Sequence, residues 1–293
     1  MNFNSELKLV NEQALETKEI KNIIVSYSSD SIHLYKNNSE ELLLKEYMNY
    51  DPENAELADI TIKDNSLIIK SGERNLRLFN FTGLNRRIEI YLPLNYEYDF
   101  EINSSSGSIK SSEVFKFTNF KAHSSSGSIK LKDIYADDIN ISSNSGSINM
   151  ENSNASKLSF KSSSGSIKLS NVKGESTFLS NSGLIEVEKI EGKINASASS
   201  GSIKMTIKKL NGDIKATTSS GSINITLPED SSFEFKAKVN SGSIKTYFET
   251  KSLNSNTSSY GRIGKEVSVN IGDNPNLRID LNASSGSIKL NSL

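Results

Sequence analysis

The heptapeptide "SSSGSIK" occupies residues 104–110 and returns unchanged at 124–130 and 162–168. Its glycine recurs at intervals of 20, 19, 19, 18, 18, 20, 21 and 44 residues. An internal repeat of this length is typical of solenoids, propellers and arrays, so the repeat decides the fold before any single element does. The repeated glycines, which we predict to be structural corner residues, are Gly107, Gly127, Gly146, Gly165, Gly183, Gly201, Gly221, Gly242 and Gly286.

Alignment of the repeats on the glycine separates apolar from polar columns. Isoleucine stands two residues after the glycine in every repeat, and the fourth position after it is mostly apolar. The seventh and fifth positions before the glycine are mostly apolar, the third is compact, and the residue just before it is always serine. This two-residue period predicts strands with one buried face, so that positions −7, −5, −3, −1, +2 and +4 point inward.

The inward positions change parity at the glycine, which predicts a corner there. Glycine reaches positive φ angles at little steric cost, and we therefore expect it to turn the chain. The serines at −3 and −1 are predicted to line the corner, where their hydroxyl groups can satisfy freed backbone groups.

A coil of about 18–21 residues with two strands predicts an all-β fold, a parallel β-solenoid in which successive coils stack about 4.8 Å apart. A β-sandwich or a propeller is the competing all-β interpretation, but neither requires the same residue every coil. We divide the chain into an N-terminal cap of irregular strands (1–95), the main repeat array (96–249), and a terminal part (250–293). That last part comprises a polar loop at 250–264 and a final coil continuous with the array.

The overall composition excludes several classes of function. The chain of 293 residues has 34 basic and 35 acidic side chains, so no global charge drives it onto nucleic acid. There is no cysteine, and His33 and His123 lie far apart in sequence without clustered partners. Motifs for nucleotides, calcium or hydrolysis are absent, and we predict no catalytic residue, no metal site and no cofactor.

The N-terminal segment lacks the basic start and apolar run of a signal peptide. No stretch approaches the roughly 20 apolar residues of a transmembrane helix. The sequence as written therefore predicts a cytoplasmic chain.

The residue three positions after the glycine is predicted to face outward and is often lysine. One interpretation is a basic strip that binds an anionic polymer; the other is a solvated face whose lysines discourage aggregation. The lysines of this candidate strip are Lys110, Lys130, Lys168, Lys204, Lys245 and Lys289.

The densest acidic group is Asp133, Asp137 and Asp138, in "KDIYADDIN". Solenoid enzymes that attack polysaccharides use clustered acids, but this group has no equivalent in adjacent coils. We interpret it as a solvated turn rather than a catalytic pair.

Four stretches, "YSSDSIHLYKNNSEELLLKEYM", "IEIYLPLNYEYDFEINSSSGSIK", the serial SGSIK units and "IGDNPNLRIDLNASSGSIKL", resemble the bacterial putative-adhesin family, a β-strand repeat domain of unknown function. The resemblance covers about residues 20–293. It implies a repetitive all-β fold, association with the cell envelope, and no catalytic residues.

We therefore expect a non-enzymatic protein that presents an extended binding surface to an anionic envelope polymer or a protein partner. The alternative is an intracellular regulatory or assembly scaffold that binds a protein through an end cap or the 250–264 loop. A glycan-active solenoid enzyme is the least favoured hypothesis, because the paired carboxylates of such enzymes are missing.

Overall fold

In a computed structural model, which describes residues 6–73, 85–251 and 258–293, the protein is all-β. The described part contains one short 3-10 helix, Asn54–Glu56, and no α-helix. It forms two compact units, Met1–Gly146 and Ser147–Leu293, called unit 1 and unit 2 below. The fold prediction is confirmed at this level: strands dominate, and within each unit they pair in parallel one repeat apart.

Unit 1 contains eleven strands in its described residues. They are β1 (Lys8–Glu16), β2 (Asn22–Tyr27), β3 (Ser31–Asn37), β4 (Glu41–Met48), β5 (Asp59–Lys63), β6 (Ser66–Lys70), β7 (Arg86–Pro93), β8 (Asp99–Ser104), β9 (Ile109–Ser111), β10 (Phe115–Ser124) and β11 (Ile129–Ser143). Strands β8, β10 and the second half of β11 pair in parallel, as do β9 and the first half of β11.

Strands β2 and β3, which the sequence analysis assigns to the cap, form a further coil in register with the repeats. Ile23 lies opposite Phe100, and Ile32 lies opposite Ile109 of the first repeat. The stretch "SSDSI" thus occupies the place of "SSGSI", with Asp30 at the glycine position. The signal was present in the sequence, but the missing glycine hid it.

Beyond this coil, strand direction changes within unit 1. Strands β6 and β7 still run parallel to β2 and β3, whereas β5 pairs antiparallel with β6 and β4 antiparallel with β7. Strand β1 then pairs antiparallel with β4. The antiparallel strands end the repeat because their hydrogen-bonding pattern does not template another coil.

Three charged side chains are buried beneath these outer strands. Asp30 and Glu46 are fully buried, and the Arg86 guanidinium lies between them, at 3.5 Å from Asp30 Oδ1 and 3.8 Å from Glu46 Oε1. Arg86 Nη2 also donates to the Glu56 carbonyl at 2.7 Å. Glu46 accepts further hydrogen bonds from Asn11, Ala58 N–H and Tyr27. Buried charges persist only when they are paired in this way.

Unit 2 contains the other eleven strands in its described residues. They are β12 (Ile148–Ser162), β13 (Ile167–Ser180), β14 (Ile185–Glu191), β15 (Ile194–Ala198), β16 (Ile203–Lys209), β17 (Ile214–Ser220), β18 (Ile223–Leu227), β19 (Phe233–Lys251), β20 (Ser258–Gly264), β21 (Glu266–Ile271) and β22 (Arg278–Ser292). From β12 to β18 the pairing follows chain order, with equivalent residues opposite each other.

The last repeat does not follow the preceding one in space. Strand β22 pairs in parallel with β17 and β18 on one side and with β19 on the other. The coil of Gly286 therefore lies between the coils of Gly221 and Gly242. The final coil is in register with the array but lies out of chain order, because strand pairing, not position in the sequence, sets the order of stacking.

The segment predicted as a polar loop, 250–264, is partly strand. Strand β19 extends to Lys251, and β20 pairs antiparallel with it; residues 252–257 lie outside the described residues. Strand β21 pairs antiparallel with the first part of β19. Main-chain pairing outweighs the polar Ser/Asn composition here, since an edge strand offers unpaired N–H and C=O groups.

The inward isoleucine column is confirmed. The isoleucine two residues after each glycine is completely buried in all nine repeats: Ile109, Ile129, Ile148, Ile167, Ile185, Ile203, Ile223, Ile244 and Ile288. Buried aromatic rings add to the core in some coils, as in the stacked pair Phe160 and Phe178, whose centroids are 5.6 Å apart. Complete burial of an isoleucine contributes about 1.5–3 kcal/mol each.

The corner glycines are needed for close stacking rather than for positive φ. Among the nine, only Gly242 and Gly286 have positive φ, at 145° and 150°. A Cβ added to Gly127 would overlap the carbonyl oxygen of Gly107, and one added to Gly183 would overlap that of Gly165. The predicted reason for glycine, a positive φ angle at the corner, is therefore wrong for most repeats. Glycine is required because its backbone lies directly against the glycine backbone of the neighbouring coil.

The serine at −3 is buried as predicted, but the serine at −1 is exposed in all nine repeats. Positions −2 and −1 both point outward, and the glycine is buried in six of the nine repeats, so in those repeats the parity change lies before the glycine. The −3 hydroxyl donates to the glycine carbonyl, at 2.9 Å from Ser104 to Gly107 and 2.7 Å from Ser162 to Gly165. This is the backbone-satisfying role expected of a short polar side chain at a bend.

A second corner lies six residues after the glycine, and in the repeat of Gly127 it falls at Asp133, within the segment predicted as a turn. Asp133, Asn152, Asn171 and Lys189 have φ between 54° and 56°, the left-handed region that Asn and Asp tolerate best. The next residue points inward again and is buried, as in Val172 and Ile190. The sequence did not reveal this column, because its residues are of different types: aspartate, asparagine and lysine.

Candidate binding surface

The predicted lysine strip exists as an outward column within each unit. In unit 1, Lys110 lies opposite Lys130, and His33 lies opposite Lys110 on the other side. In unit 2 the column runs in spatial order through Asn149, Lys168, Glu186, Lys204, Asn224, Lys289 and Lys245. All six predicted lysines are exposed.

Glu186 interrupts the strip in unit 2. Its carboxylate lies 2.8 Å from Lys204 Nζ and 4.0 Å from Lys168 Nζ. The hydrogen bond from Lys204 is the main cause that lowers the pKa of Glu186 below its usual range. The one carboxylate therefore offsets part of the positive charge of the two lysines, as the solvated-face interpretation expects.

Two lysine pairs are not neutralised in this way. Lys110 beside Lys130 and Lys245 beside Lys289 lie on neighbouring strands, and none of the four forms an ion pair within the described residues. Facing strands are about 4.8 Å apart, and like charges directly opposite each other are destabilising. These pairs are the places where the strip could accept an anion.

His33 adds a polar group beside the Lys110 pair. Burial, together with the nearby cations Lys110 and Arg87, lowers the pKa of His33 from 6.5, so the imidazole is neutral at pH 7. His33 Nδ1 lies 3.3 Å from the Tyr35 hydroxyl. His33 has no clustered partner in the sequence, but in the fold it is one member of a cluster.

An aromatic and cationic cluster covers the outward face of β3, β4 and β7 in unit 1. Tyr35 and Tyr91 stack at 5.0 Å, and the Arg87 guanidinium lies 4.5 Å above the Tyr47 ring. Glu89 joins them, because it lies 3.1 Å from Arg87 Nε and accepts the Tyr91 hydroxyl at 2.9 Å. Alternation of tyrosine with charged residues in "HLY" and "RRIEIYL" was the signal that could have predicted it.

The other singled-out residues are not brought together. Asp137 and Asp138 are exposed on β11, and Asp133 is the left-handed corner residue rather than part of a carboxylate pair. His123 Nδ1 lies 2.9 Å from Ser142 Oγ on the neighbouring coil. Across residues 6–73, 85–251 and 258–293, no three His, Asp or Glu side chains lie close enough to hold a metal ion.

No membrane-spanning helix occurs in the parts of the chain that the structure describes.

Comparison with known proteins identifies the fold. The chain is similar to a putative adhesin from Bacteroides fragilis NCTC 9343, at 16% identity over 99% of both chains with a TM-score of 0.50. It is also similar to a putative lipid binding protein from Parabacteroides distasonis ATCC 8503, at 15% identity over 99% of this chain and 98% of that one, with a TM-score of 0.53.

A putative adhesin from Parabacteroides merdae ATCC 43184 matches at 13% identity over 98% of this chain and 97% of that one, also with a TM-score of 0.53. No curated protein matches the sequence. At these identities the solved structures establish the fold alone. The family model described as Toastrack DUF4097 matches residues 20–291, and the chain therefore belongs to this bacterial domain family of unknown function.

Proposed function

We propose that this protein is a non-enzymatic binding module that presents its outward columns to an anionic polymer of the cell envelope. The observation that carries the proposal is the Lys110–Lys130 pair, exposed on adjacent strands with no carboxylate partner in the described residues. A polymer with regularly spaced negative charges would relieve the repulsion between the two ammonium groups. Repetition of weak contacts would supply the affinity.

The proposed architecture is a solenoid with two main strands per coil of about 18–21 residues, closed by a cap within residues 1–95. The descriptions of the solved relatives, two as adhesins and one as lipid binding, agree with a role in surface binding. Envelope association is part of the proposal for the same reason.

The test is binding to purified polyglycerol-phosphate wall polymer, with anionic lipid vesicles and a neutral wall glycan as comparators. We expect Lys110→Glu/Lys130→Glu to weaken polymer binding by more than tenfold and to reduce its salt dependence. The matched control is Lys168→Glu/Lys204→Glu, in which the two changed lysines share the Glu186 carboxylate and which should weaken polymer binding less than the Lys110/Lys130 variant. Polymer binding that is equal in wild type and in the Lys110/Lys130 variant would overturn the proposal.

A second candidate is an intracellular scaffold that binds a protein partner. It is supported by the Tyr47, Arg87 and Tyr91 cluster, because tyrosine and arginine dominate the energetics of protein interfaces. This candidate is favoured if neither polymer nor vesicle binds, and if a purified partner then loses affinity on Arg87→Ala but not on Lys110→Glu.

A further inference from the structure

Tyr247 is an exposed aromatic side chain on the outward face of unit 2. It is 57% exposed, and within the described residues it forms no ring contact, cation–π contact or hydrogen bond. Thr246 and Phe248 on either side of it are buried in the core, so strand alternation directs Tyr247 outward. The ring is therefore available to a ligand without first leaving another partner.

This tyrosine lies beside one of the two lysine pairs that have no carboxylate partner. Lys245 precedes it by two residues on β19, and Lys289 lies opposite Lys245 on β22. Two residues along a strand span about 6.6 Å, and neighbouring strands are about 4.8 Å apart. Both lysines and the tyrosine are exposed on the same face. An anion held between the two ammonium groups would thus have the tyrosine ring next to it.

Asn291 completes this surface on β22, two residues after Lys289. Its Nδ2 donates to Asn224 Oδ1 on β18, which fixes the amide group in place. Its Oδ1 forms no hydrogen bond within the described residues and is not enclosed. The amide oxygen can therefore accept a hydroxyl or N–H group from a ligand that lies on Tyr247.

An aromatic residue occurs only once at this position of the repeat. The residue five positions after the glycine is Tyr247 in one repeat, and in the other eight it is serine, lysine, glutamate, threonine or asparagine. Beside the Lys110–Lys130 pair, the same positions hold Ser112 and Lys132. The two lysine pairs should therefore share an affinity for anions and differ in what they bind next to the anion.

The surroundings of Tyr247 restrict the group that can lie on its ring. Its described outward neighbours on β19 and β22 are the polar residues Lys245, Glu249, Lys289 and Asn291, so an acyl chain would find no apolar track beyond one ring. Single-stranded nucleic acid stacks on successive aromatic side chains, which this column lacks. A sugar ring has a small apolar face bordered by hydroxyl groups, and this suits one tyrosine ring with polar neighbours.

We propose that Lys245, Lys289, Tyr247 and Asn291 form a site for a sugar phosphate unit. The phosphate lies between the two ammonium groups, the apolar face of the sugar lies on the Tyr247 ring, and a sugar hydroxyl donates to Asn291 Oδ1. The inference rests on the proposed function, because it specifies which unit of the anionic polymer is bound by unit 2. The polymer is then one that carries sugar rings next to its phosphate groups.

The test compares two probes on the full chain, polyglycerol phosphate with and without glucosyl substituents. Backbone amide chemical shifts locate the binding, and titrations give the affinities. We expect the glucosylated polymer to shift the amides of residues 245–247 and 289–291 and to bind more tightly than the bare polymer. Tyr247→Ala should weaken binding of the glucosylated polymer about fivefold and leave binding of the bare polymer unchanged, because only the contact with the sugar is lost.

Three further variants serve as controls. Tyr247→Phe keeps the ring and should keep the preference for the glucosylated polymer. Tyr98→Ala removes another exposed tyrosine, which lies between Glu97 and Asp99, and should leave both affinities unchanged. Lys245→Gln/Lys289→Gln removes the phosphate contacts and should abolish the shifts at residues 245–247 and 289–291.

The outcomes separate this site from the proposed function. Equal binding of the two polymers by the wild type, or an unchanged preference in Tyr247→Ala, overturns the site and leaves the proposed function in place. Failure of both polymers to bind overturns both proposals. Tighter binding of the oligonucleotide oligo(dT) than of the glucosylated polymer at residues 245–247 would assign the site to nucleic acid and also overturn the proposal.

Discussion

The first coil of unit 1 and the last coil of unit 2 depart from the same repeat in one shared way and in one different way. Both are inserted out of chain order, because β2 and β3 stack between β6/β7 and β8/β9, and β22 stacks between β18 and β19. They differ at the glycine position, which unit 2 keeps in its last repeat and which unit 1 changes to Asp30, with Arg86 as its partner. The comparison teaches that a repeat sequence specifies each coil, while its irregular neighbours specify how the coils end.

Energetically the two departures differ as well. The buried Asp30, Glu46 and Arg86 group is held together by charge and hydrogen bonds, which is costly to disturb on one side alone. The inserted β22 is held by main-chain hydrogen bonds on both of its edges and by the buried residues Ile279, Leu281 and Ile288. The buried charged group and the inserted strand can therefore each be disrupted by a separate change to the chain.

The largest effect is expected from truncation of the chain after Leu277, which removes β22. Strands β17, β18 and β19 would each lose a hydrogen-bonded neighbour, so their amides should lose protection from hydrogen exchange together. Amides of β12 and β13 should keep theirs, since repeats contact mainly their neighbours. Loss of protection confined to β19 would show that β22 is not inserted; removal of Leu293 alone is the control.

The next effect concerns the buried charges of unit 1. Arg86→Met leaves two buried carboxylates without their cation and should lower the free energy of unfolding by about 3–5 kcal/mol, measured by urea denaturation. Arg87→Met changes the neighbouring residue, whose side chain is partly exposed over Tyr47, and should cost about 1 kcal/mol or less. Similar losses in the two variants would contradict the assignment of Arg86 as the buried partner.

A smaller effect tests the close stacking of the repeat glycines, which occurs in both units. Gly183→Ala places a methyl group against the Gly165 carbonyl and should destabilise by about 1–3 kcal/mol, with a matching fall in urea midpoint. Ser182→Ala, at the exposed position just before it, should change stability by no more than about 0.5 kcal/mol. A larger loss of stability in Ser182→Ala than in Gly183→Ala would favour the inward-facing serine that was predicted from the sequence.

The smallest effect concerns the outward column. Glu186 has a pKa lowered chiefly by its hydrogen bond with Lys204, so its contribution to stability is present at pH 7 and is lost as the pH falls below 4.5 towards the folded pKa. Glu186→Gln should therefore be slightly less stable than wild type at pH 7, and the difference should shrink as the pH falls below 4.5. A difference that stays constant as the pH falls would mean that Glu186 acts through packing rather than charge.

The candidate surface could be predicted only in part. The column of Lys110, Lys130, Lys168, Lys204, Lys245 and Lys289 followed from strand alternation, and the structure places all six outward. The interruption of the column by Glu186 between Lys168 and Lys204 also followed from the repeat, because these coils stack in chain order. The pairing of Lys245 with Lys289 could not be predicted, because it depends on where β22 stacks. The tyrosine cluster was missed, since its residues come from strands that are distant in sequence.

The strand periodicity, the buried isoleucine column and the buried −3 position follow from local sequence, because alternation along a strand is a property of its own backbone. The outward direction of the −1 serine and the reason why glycine is required do not follow from local sequence. Both depend on how closely the next coil approaches. The place of the Asp30 coil and the place of β22 depend on pairings between segments that are remote in sequence. A strand's own residues determine which face it buries, whereas its hydrogen-bonding edges accept any strand that the rest of the chain brings to them.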